Sequence, residues 1–427
     1  MPNPPLPSPT SGNGYAWLRL IVSLVLMTIG SSGMYSISLV LPHLQADFGI
    51  TRSQASLPYT ITMIGFGLGG MAMGWIADRY TVLSALLLGA LGLGLGFVLS
   101  GMATNIWWFT LAHGLFLGFF GAAANFAPLV ADTSRWFTRH RGIALAICMS
   151  GNYFAGTIWP PVMQHFVDAS GWRTMYQGVG IVFMLIALSL LPMYRRKPDP
   201  SRQAPADAKH PVRMARFQQE IQRSNPSKPL GLRPRTMQNL LCLSGIGCCI
   251  AMAMPQVHII AYCGDLGFGA TRGAQMLSLM LGMGIASRLL SGWVSDYIGG
   301  LRTLLLGGVL QAVALLLFLT SSDLVSLYVI SALFGLFQGG IVPAYALIVR
   351  EYFSPEQAGV RVGTVLTATL FGMAAGGWLS GLIYDIFGSY KPAFVHGILW
   401  NLVTLSVVSF LLHRARALRK APAGQTG

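Results

Sequence analysis

Long stretches without Asp, Glu, Lys or Arg dominate the chain: 20–46, 53–77, 80–131, 142–167, 174–194, 236–264, 273–287, 303–322, 324–349, 362–384 and 392–413. A membrane-crossing helix needs about 20 mainly apolar residues. Most of these stretches therefore predict one span each. The stretch 80–131 is long enough for two, with a break near Ala103-Thr104-Asn105, and 273–287 continues past Arg288 in apolar sequence to Val294. The pattern predicts an all-α membrane protein of twelve spans, six before residue 195 and six after 235. The first run is too long for the apolar core of a cleavable leader and is read as a retained span. The segment 195–235 carries Arg195, Arg196, Lys197, Arg202, Lys209, Arg213, Arg216, Arg223, Lys228, Arg233 and Arg235 with several prolines, and is read as a polar connection. The expected organisation is a half over 1–194, a linker over 195–235 and a half over 236–427, with an amphipathic stretch near 211–221 suited to a membrane surface.

Composition supports this reading. Hydrophobic residues make up 53% and charged residues 10%, against about 25% charged in soluble proteins. A net charge of +15 would suit nucleic acid if it formed a patch, but its placement argues otherwise. With a cytoplasmic amino terminus, one side holds Arg79, Arg135, Arg139, Arg141, the linker, Arg302, Arg350, Arg361 and Arg414 to Lys420, and the other only Arg52, Arg173, Arg272 and Lys391. Such asymmetry sets topology. It places both termini in the cytoplasm of an inner-membrane protein, touches anionic lipid head groups, and leaves nucleic acid out as a partner. The five cysteines lie in apolar stretches without a CxxC pair, so no zinc site is expected. There is no GxxxxGK[ST] loop, metal cluster or soluble domain, which speaks against an enzyme or sensor and predicts no cofactor. A monomer is expected.

An internal echo ties the halves together. Gly74-Trp75-Ile76-Ala77-Asp78-Arg79 ends the second span, and Gly292-Trp293-Val294-Ser295-Asp296-Tyr297 ends the eighth. Parallel six-helix repeats are a known transporter plan. This echo resembles the G-x-x-x-D-R loop motif of major facilitator carriers, although basic residues after Arg79 are missing and Tyr297 replaces the second Arg. The resemblance implies two pseudo-symmetric six-helix bundles and a cytoplasmic gate at Asp78, Arg79 and Asp296, whose carboxylates would pair with helix dipoles and basic residues of the facing half. Three further stretches resemble the monocarboxylate transporter-like branch, which includes oxalate–formate exchangers. They are Leu41 through Asp47-Phe48-Gly49 and Arg52 to Ser56; Arg135-Trp136-Phe137 through Arg141-Gly142 to Pro160; and Gly381 through Tyr384-Asp385 to Tyr390 and Phe394.

Polar residues inside spans are the candidate site. Arg288 lies about four residues, roughly 6 Å, from the middle of the eighth span. No span offers an acid at similar depth. A lone guanidinium there costs several kcal/mol unless it meets water or a partner, and its fork suits a carboxylate. In the branch resembled, an eighth-helix arginine binds the substrate carboxylate, which implies that role for Arg288. His258 in the seventh span could titrate near neutral pH and carry a proton or bond substrate. His113 is a weaker candidate of the same kind. Asn125, Asn152, Tyr153 and Gln338 are further substrate-binding candidates, with Gln256 beside them, and all must face protein or a cavity. The oxalate-type lysine of the eleventh helix is absent, as are the animal-type lysine of the first helix and the acid four residues before the arginine, where Gly284 stands. Proton coupling would then need another group, and His258 is the candidate. The sequence thus predicts a secondary carrier of a small organic anion, a monocarboxylate with or without a proton. Its alternative is an efflux carrier for apolar or drug-like compounds.

Overall fold

The computed structural model describes residues 11–137, 141–196 and 229–420. Most of the 195–235 linker, the 211–221 stretch and Arg139 fall outside them. Among the described residues there is no strand. Twelve long helices follow one another: α1 Gly14–Phe48, α2 Arg52–Arg79, α3 Val82–Gly101, α4 Ile106–Trp136, α5 Arg141–Ser170, α6 Trp172–Tyr194, α7 Pro234–Asp265, α8 Ala270–Ile298, α9 Gly300–Thr320, α10 Leu324–Tyr352, α11 Pro355–Phe387 and α12 Lys391–Lys420. Eleven are long and apolar enough to cross a membrane. The remaining one, α5, carries Asn152, Tyr153, Trp159 and the Pro160–Pro161 pair in its middle.

Local chemistry sets the helix ends. The break expected near residue 104 is real: Asn105 caps α4, its Oδ1 accepting the Trp108 N–H at 2.9 Å. Thr51 and Gln54 form a reciprocal capping box at the start of α2, as a Thr-x-x-Gln spacing allows. Gly49 and Gly388 close α1 and α11 in the left-handed region, with φ of 62° and 65°, where only glycine is free of strain. The repeat is visible in the kinks. In α4 the helix is interrupted at Asn125–Phe126, before Pro128; in α10 it is interrupted at Gly339–Gly340, before Pro343.

Twelve crossings bring both ends of the chain to one end of the bundle, here called the terminal end. The linker stubs dock there: Arg19 of α1 donates to the Met193 carbonyl at 2.6 Å, and Arg414 of α12 to the Leu230 carbonyl at 3.1 Å. Between the halves, α2 packs on α11, α5 on α8 and α1 on α7. The α2–α11 seam is zipped from the far end only. On α11 an added Cβ at Gly381 would meet Ser53 and the Arg52 carbonyl, and one at Gly377 would meet Tyr59, whereas Gly363 and Gly359 on the same face meet nothing within 4 Å. On α2, Gly67 meets Leu370, but Gly70 and Gly74 meet nothing. The α2–α11 seam therefore opens toward the terminal end.

Small residues set the close approaches within each half. Gly335 of α10 lies against the Met280 carbonyl of α8, where a Cβ would overlap it. Gly335→Ala is expected to destabilise the protein by about 1–3 kcal/mol, the cost of overpacking. Gly363→Ala, in open space, is expected to gain about 0.5–1 kcal/mol from helix propensity. Equilibrium unfolding in mixed micelles checks the opposite signs, and equal effects would contradict this packing.

Candidate functional site

Three helices meet where the α5–α8 seam ends. On α5, Met149, Asn152, Tyr153 and Gly156 follow at helical spacing, and on α8, Leu281, Gly284 and Arg288 do the same. The two rows interlock. Leu281 fills the space beside Gly156, and the Tyr153 ring lies across Gly284. The absence of a side chain at 284 is thus what lets an aromatic ring, rather than an acid, sit one turn from Arg288. The Arg288 guanidinium carbon lies 4.5 Å from the Tyr153 ring centroid, a cation–π distance, and Nη1 donates to the Met149 carbonyl at 3.1 Å. The Nε atom is buried with no partner among the described residues. Beyond this point the seam parts: Gly142 and Gly292, one or two turns nearer the terminal end, have open space beside them. Arg288 is half-buried at the bottom of that opening.

The third wall is α1. Its Tyr35 hydroxyl donates to Asn152 Oδ1 at 2.9 Å, and Asn152 Nδ2 donates to Ser31 Oγ at 3.3 Å, at the break between the two segments of α1. Tyr35 also borders Gly156. Arg288, Tyr153 and Asn152 are thus brought together, and Tyr35 joins them unforeseen. No charge pattern could have flagged an apolar-run tyrosine.

Charge pairing distinguishes Arg288 from the buried arginines Arg19 and Arg52. Arg19 pairs with Asp132 and Arg52 with Asp265, each at 2.8 Å. Among the described residues, Arg288 makes no salt bridge. Its net charge is met by a ring face and a carbonyl.

The other candidates are placed elsewhere. Asn125 is buried at the α4 kink, bonds the Gly121 carbonyl of its own helix at 2.8 Å and packs against Gly30 and Gly89. Gln338 of α10 accepts from Gln256 Nε2 of α7 at 3.1 Å, while its own Nε2 is buried without a partner among the described residues. His113 faces Tyr176 within the first half, at 3.1 Å. His258 lies at the far end, with Nδ1 2.8 Å from the Tyr390 hydroxyl and Nε2 2.8 Å from the Gly377 carbonyl. It is not beside Arg288.

At the terminal end, Asp78 does not reach the facing half as expected. Its carboxylate accepts from Arg135 of α4, in its own half, at 3.0 Å, and both side chains are largely exposed. The seam is open at that level, so the nearer base takes the carboxylate. Arg79 and Asp296 are exposed at the ends of α2 and α8.

Comparison with known proteins agrees with this architecture. The Major Facilitator Superfamily pattern matches residues 21–324 and 280–427. Relatives include monocarboxylate transporter 13 of Rattus norvegicus, 24% identical over 80% of this chain and 75% of that one. Another is the agnestins efflux protein AgnL12 of Paecilomyces divaricatus, 21% identical over 80% of this chain and 74% of that one. Among solved structures, a bacterial homologue of the human lysosomal transporter Spinster, inward-facing and unoccupied, superposes with a TM-score of 0.71 at 15% identity, covering 96% of this chain and all of that one. With twelve helices in two packed halves and a superfamily match along nearly its whole length, this chain belongs to the major facilitator superfamily of membrane transporters.

Proposed function

We propose that the protein carries a small organic anion, a monocarboxylate, across the inner membrane by alternating access, as a monomer with both termini in the cytoplasm. The observation that carries this reading is Arg288: one guanidinium with no counter-charge among the described residues, held in a fixed orientation by Tyr153 and Met149 at the base of an opening between the halves. A single uncompensated cation favours a monoanion. A dicarboxylate would leave its second charge in a poorly solvated interior, at a cost of several kcal/mol. The rings of Tyr35 and Tyr153 with Met149, Leu281 and Met34, whose sulfur lies 3.7 Å from Asn152 Nδ2, suit an apolar body behind the carboxylate, and the rat relative is a monocarboxylate transporter. Asn152 offers a further polar contact. A cation or an uncharged drug would gain nothing from Arg288, which weighs against the efflux reading.

The test is melting of the purified protein in detergent with acetate, lactate, benzoate, oxalate or succinate. A ligand that binds only the folded carrier stabilises it by about 2.7 kcal/mol at a hundred times its dissociation constant. At least one monocarboxylate is expected to raise the melting temperature in a saturable way, and none is expected to do so in Arg288→Gln. A shift that persists unchanged in Arg288→Gln, or no shift with any carboxylate, overturns the reading.

A further inference from the structure

The far end of the bundle holds a polar network that joins the two halves. Its hub is Arg52, at the first turn of α2. The backbone N–H groups of Arg52 and Ser53 donate to the two oxygens of Asp385 of α11, each at 2.8 Å. A carboxylate at a helix amino terminus is a favourable pairing. The Arg52 guanidinium grips Asp265 of α7 with both terminal nitrogens, at 2.8 and 3.2 Å, and lies over the Tyr384 ring at 4.2 Å. Its Nη1 also donates to the Tyr390 hydroxyl at 3.0 Å. Every one of these partners belongs to the second half. On the other seam, Thr271 of α8 donates to Asp168 of α5 at 3.2 Å.

The chain of bonds continues inward to His258, and its donors and acceptors fix the protonation state. The Gly377 carbonyl can only accept, so Nε2 of His258 carries a hydrogen. The Tyr390 oxygen takes a hydrogen from Arg52, so its own hydroxyl hydrogen is free to point at Nδ1. The line Arg52 Nη1–H to Tyr390 O–H to His258 Nδ1, with Nε2–H to Gly377, is complete when the ring is neutral. A second proton on Nδ1 would turn that acceptor into a donor aimed at the Tyr390 oxygen. The hydroxyl hydrogen would lose its acceptor, and a cation would sit one residue from the Arg52 cation. The titratable and charged groups around the ring are Tyr390 ahead of α12, Arg52 of α2, Asp385 and Tyr384 of α11, and Asp265 and Tyr262 of α7.

We propose that Arg52 is the centre of a latch closing the far end of the carrier, and that His258 is the proton-binding group whose occupancy releases it. The latch and the proton compete. While Arg52 is docked, His258 is buried and neutral; when the far end opens, the ring meets water and takes a proton on Nδ1. Linkage makes the effect reciprocal, so protonation favours opening by the same factor as opening favours protonation. The proposal needs alternating access alone, and it stands or falls independently of what Arg288 binds.

Distances between spin labels at Ala46→Cys of α1 and Lys391→Cys of α12 test it in the full-length protein. Both positions are exposed at the far end. Cys242 is replaced by Ser, and the four buried native cysteines stay. At pH 7.5 a single short distance is expected. At pH 5.5 a longer one should grow, by up to about tenfold per pH unit for a one-proton equilibrium. His258→Gln, whose amide supplies both a donor and an acceptor but no titration, is expected to stay short at both values. Arg52→Ala is expected to be long at both. Tyr390→Phe, which keeps the Arg52–Asp265 pair and cuts the link to His258, should lose the pH response, and it serves if Arg52→Ala does not fold. The proposal is overturned if the wild type shows no pH response, if His258→Gln or Tyr390→Phe responds as the wild type does, or if a folded Arg52→Ala stays short.

Discussion

Uptake of a carboxylate by proteoliposomes is expected to fall to the level of empty vesicles in Arg288→Ala, with folding intact. Removing one partner of a desolvated, hydrogen-bonded charge pair costs about 2–5 kcal/mol, which is well over tenfold in affinity and lies on top of any loss in the translocation step. Arg288→Lys is expected to retain only a minor fraction. An ammonium keeps the charge but cannot form two parallel bonds to a carboxylate or lie flat on Tyr153. Stability should move the other way. Among the described residues Arg288 has one carbonyl and one ring as partners and carries a buried Nε with none, so its removal from the empty carrier is expected to leave the melting temperature unchanged or slightly raised. That combination separates a substrate ligand from an interhelical strut, whose loss would lower both. Tyr153→Phe keeps the ring under the guanidinium and should transport, whereas Tyr153→Ala should weaken binding. Full-rate transport by Arg288→Ala would end the anion-site reading.

The helices and their order were legible because lipid imposes a coarse rule. A span must be long and nearly free of charge, and that rule survives without any knowledge of packing. Its soft spots were α8, whose charge-free stretch stops at Arg288, and α5, whose Asn152, Tyr153 and two prolines dilute the apolar signal. Arg288 was legible for the same reason, as a charge where charge is costly. The partners of polar residues were harder to read. Asn125 and Asn152 look alike in sequence, yet one bonds its own helix at a kink and the other faces Tyr35. Only the three-dimensional crossing of α1, α4 and α5 separates them. The motifs at 47–56 and 381–390 marked a family resemblance, but nothing along the chain says that Arg52 of the first closes on Asp385 and Tyr390 of the second, more than 300 residues away. Arg52 looked like a loop charge that sets topology and proved to be a buried hub. Asp78 shows the converse. Its expected partner lay in the facing half, and the open seam gives it Arg135 instead.

Arg19 and Asp132 went unread because each sits at the margin of an apolar stretch, where a charge ordinarily reaches the head groups. In the fold they meet. Arg19 of α1 grips both oxygens of Asp132 of α4 at 2.8 and 2.9 Å, with side-chain exposures of 3% and 4%. The guanidinium also lies over the rings of Trp136 and Tyr194 at 4.8 and 4.3 Å and donates to the Met193 carbonyl. The pair fastens α1, α4 and the end of α6 inside one half, so it should govern stability and leave the rocking of the halves alone. Breaking a buried pair strands a charge and costs about 3–5 kcal/mol. Arg19→Met is expected to show the larger loss, because the Asp132 bonds among the described residues come from Arg19, whereas in Asp132→Leu the arginine keeps its carbonyl and its two rings. The double variant should recover most of the loss, since an apolar pair of similar volume strands nothing. Equilibrium unfolding in mixed micelles gives the cycle. Single variants as stable as the wild type, or a double variant as weak as the sum of the singles, would show that burial of this pair does not determine the stability of the first half.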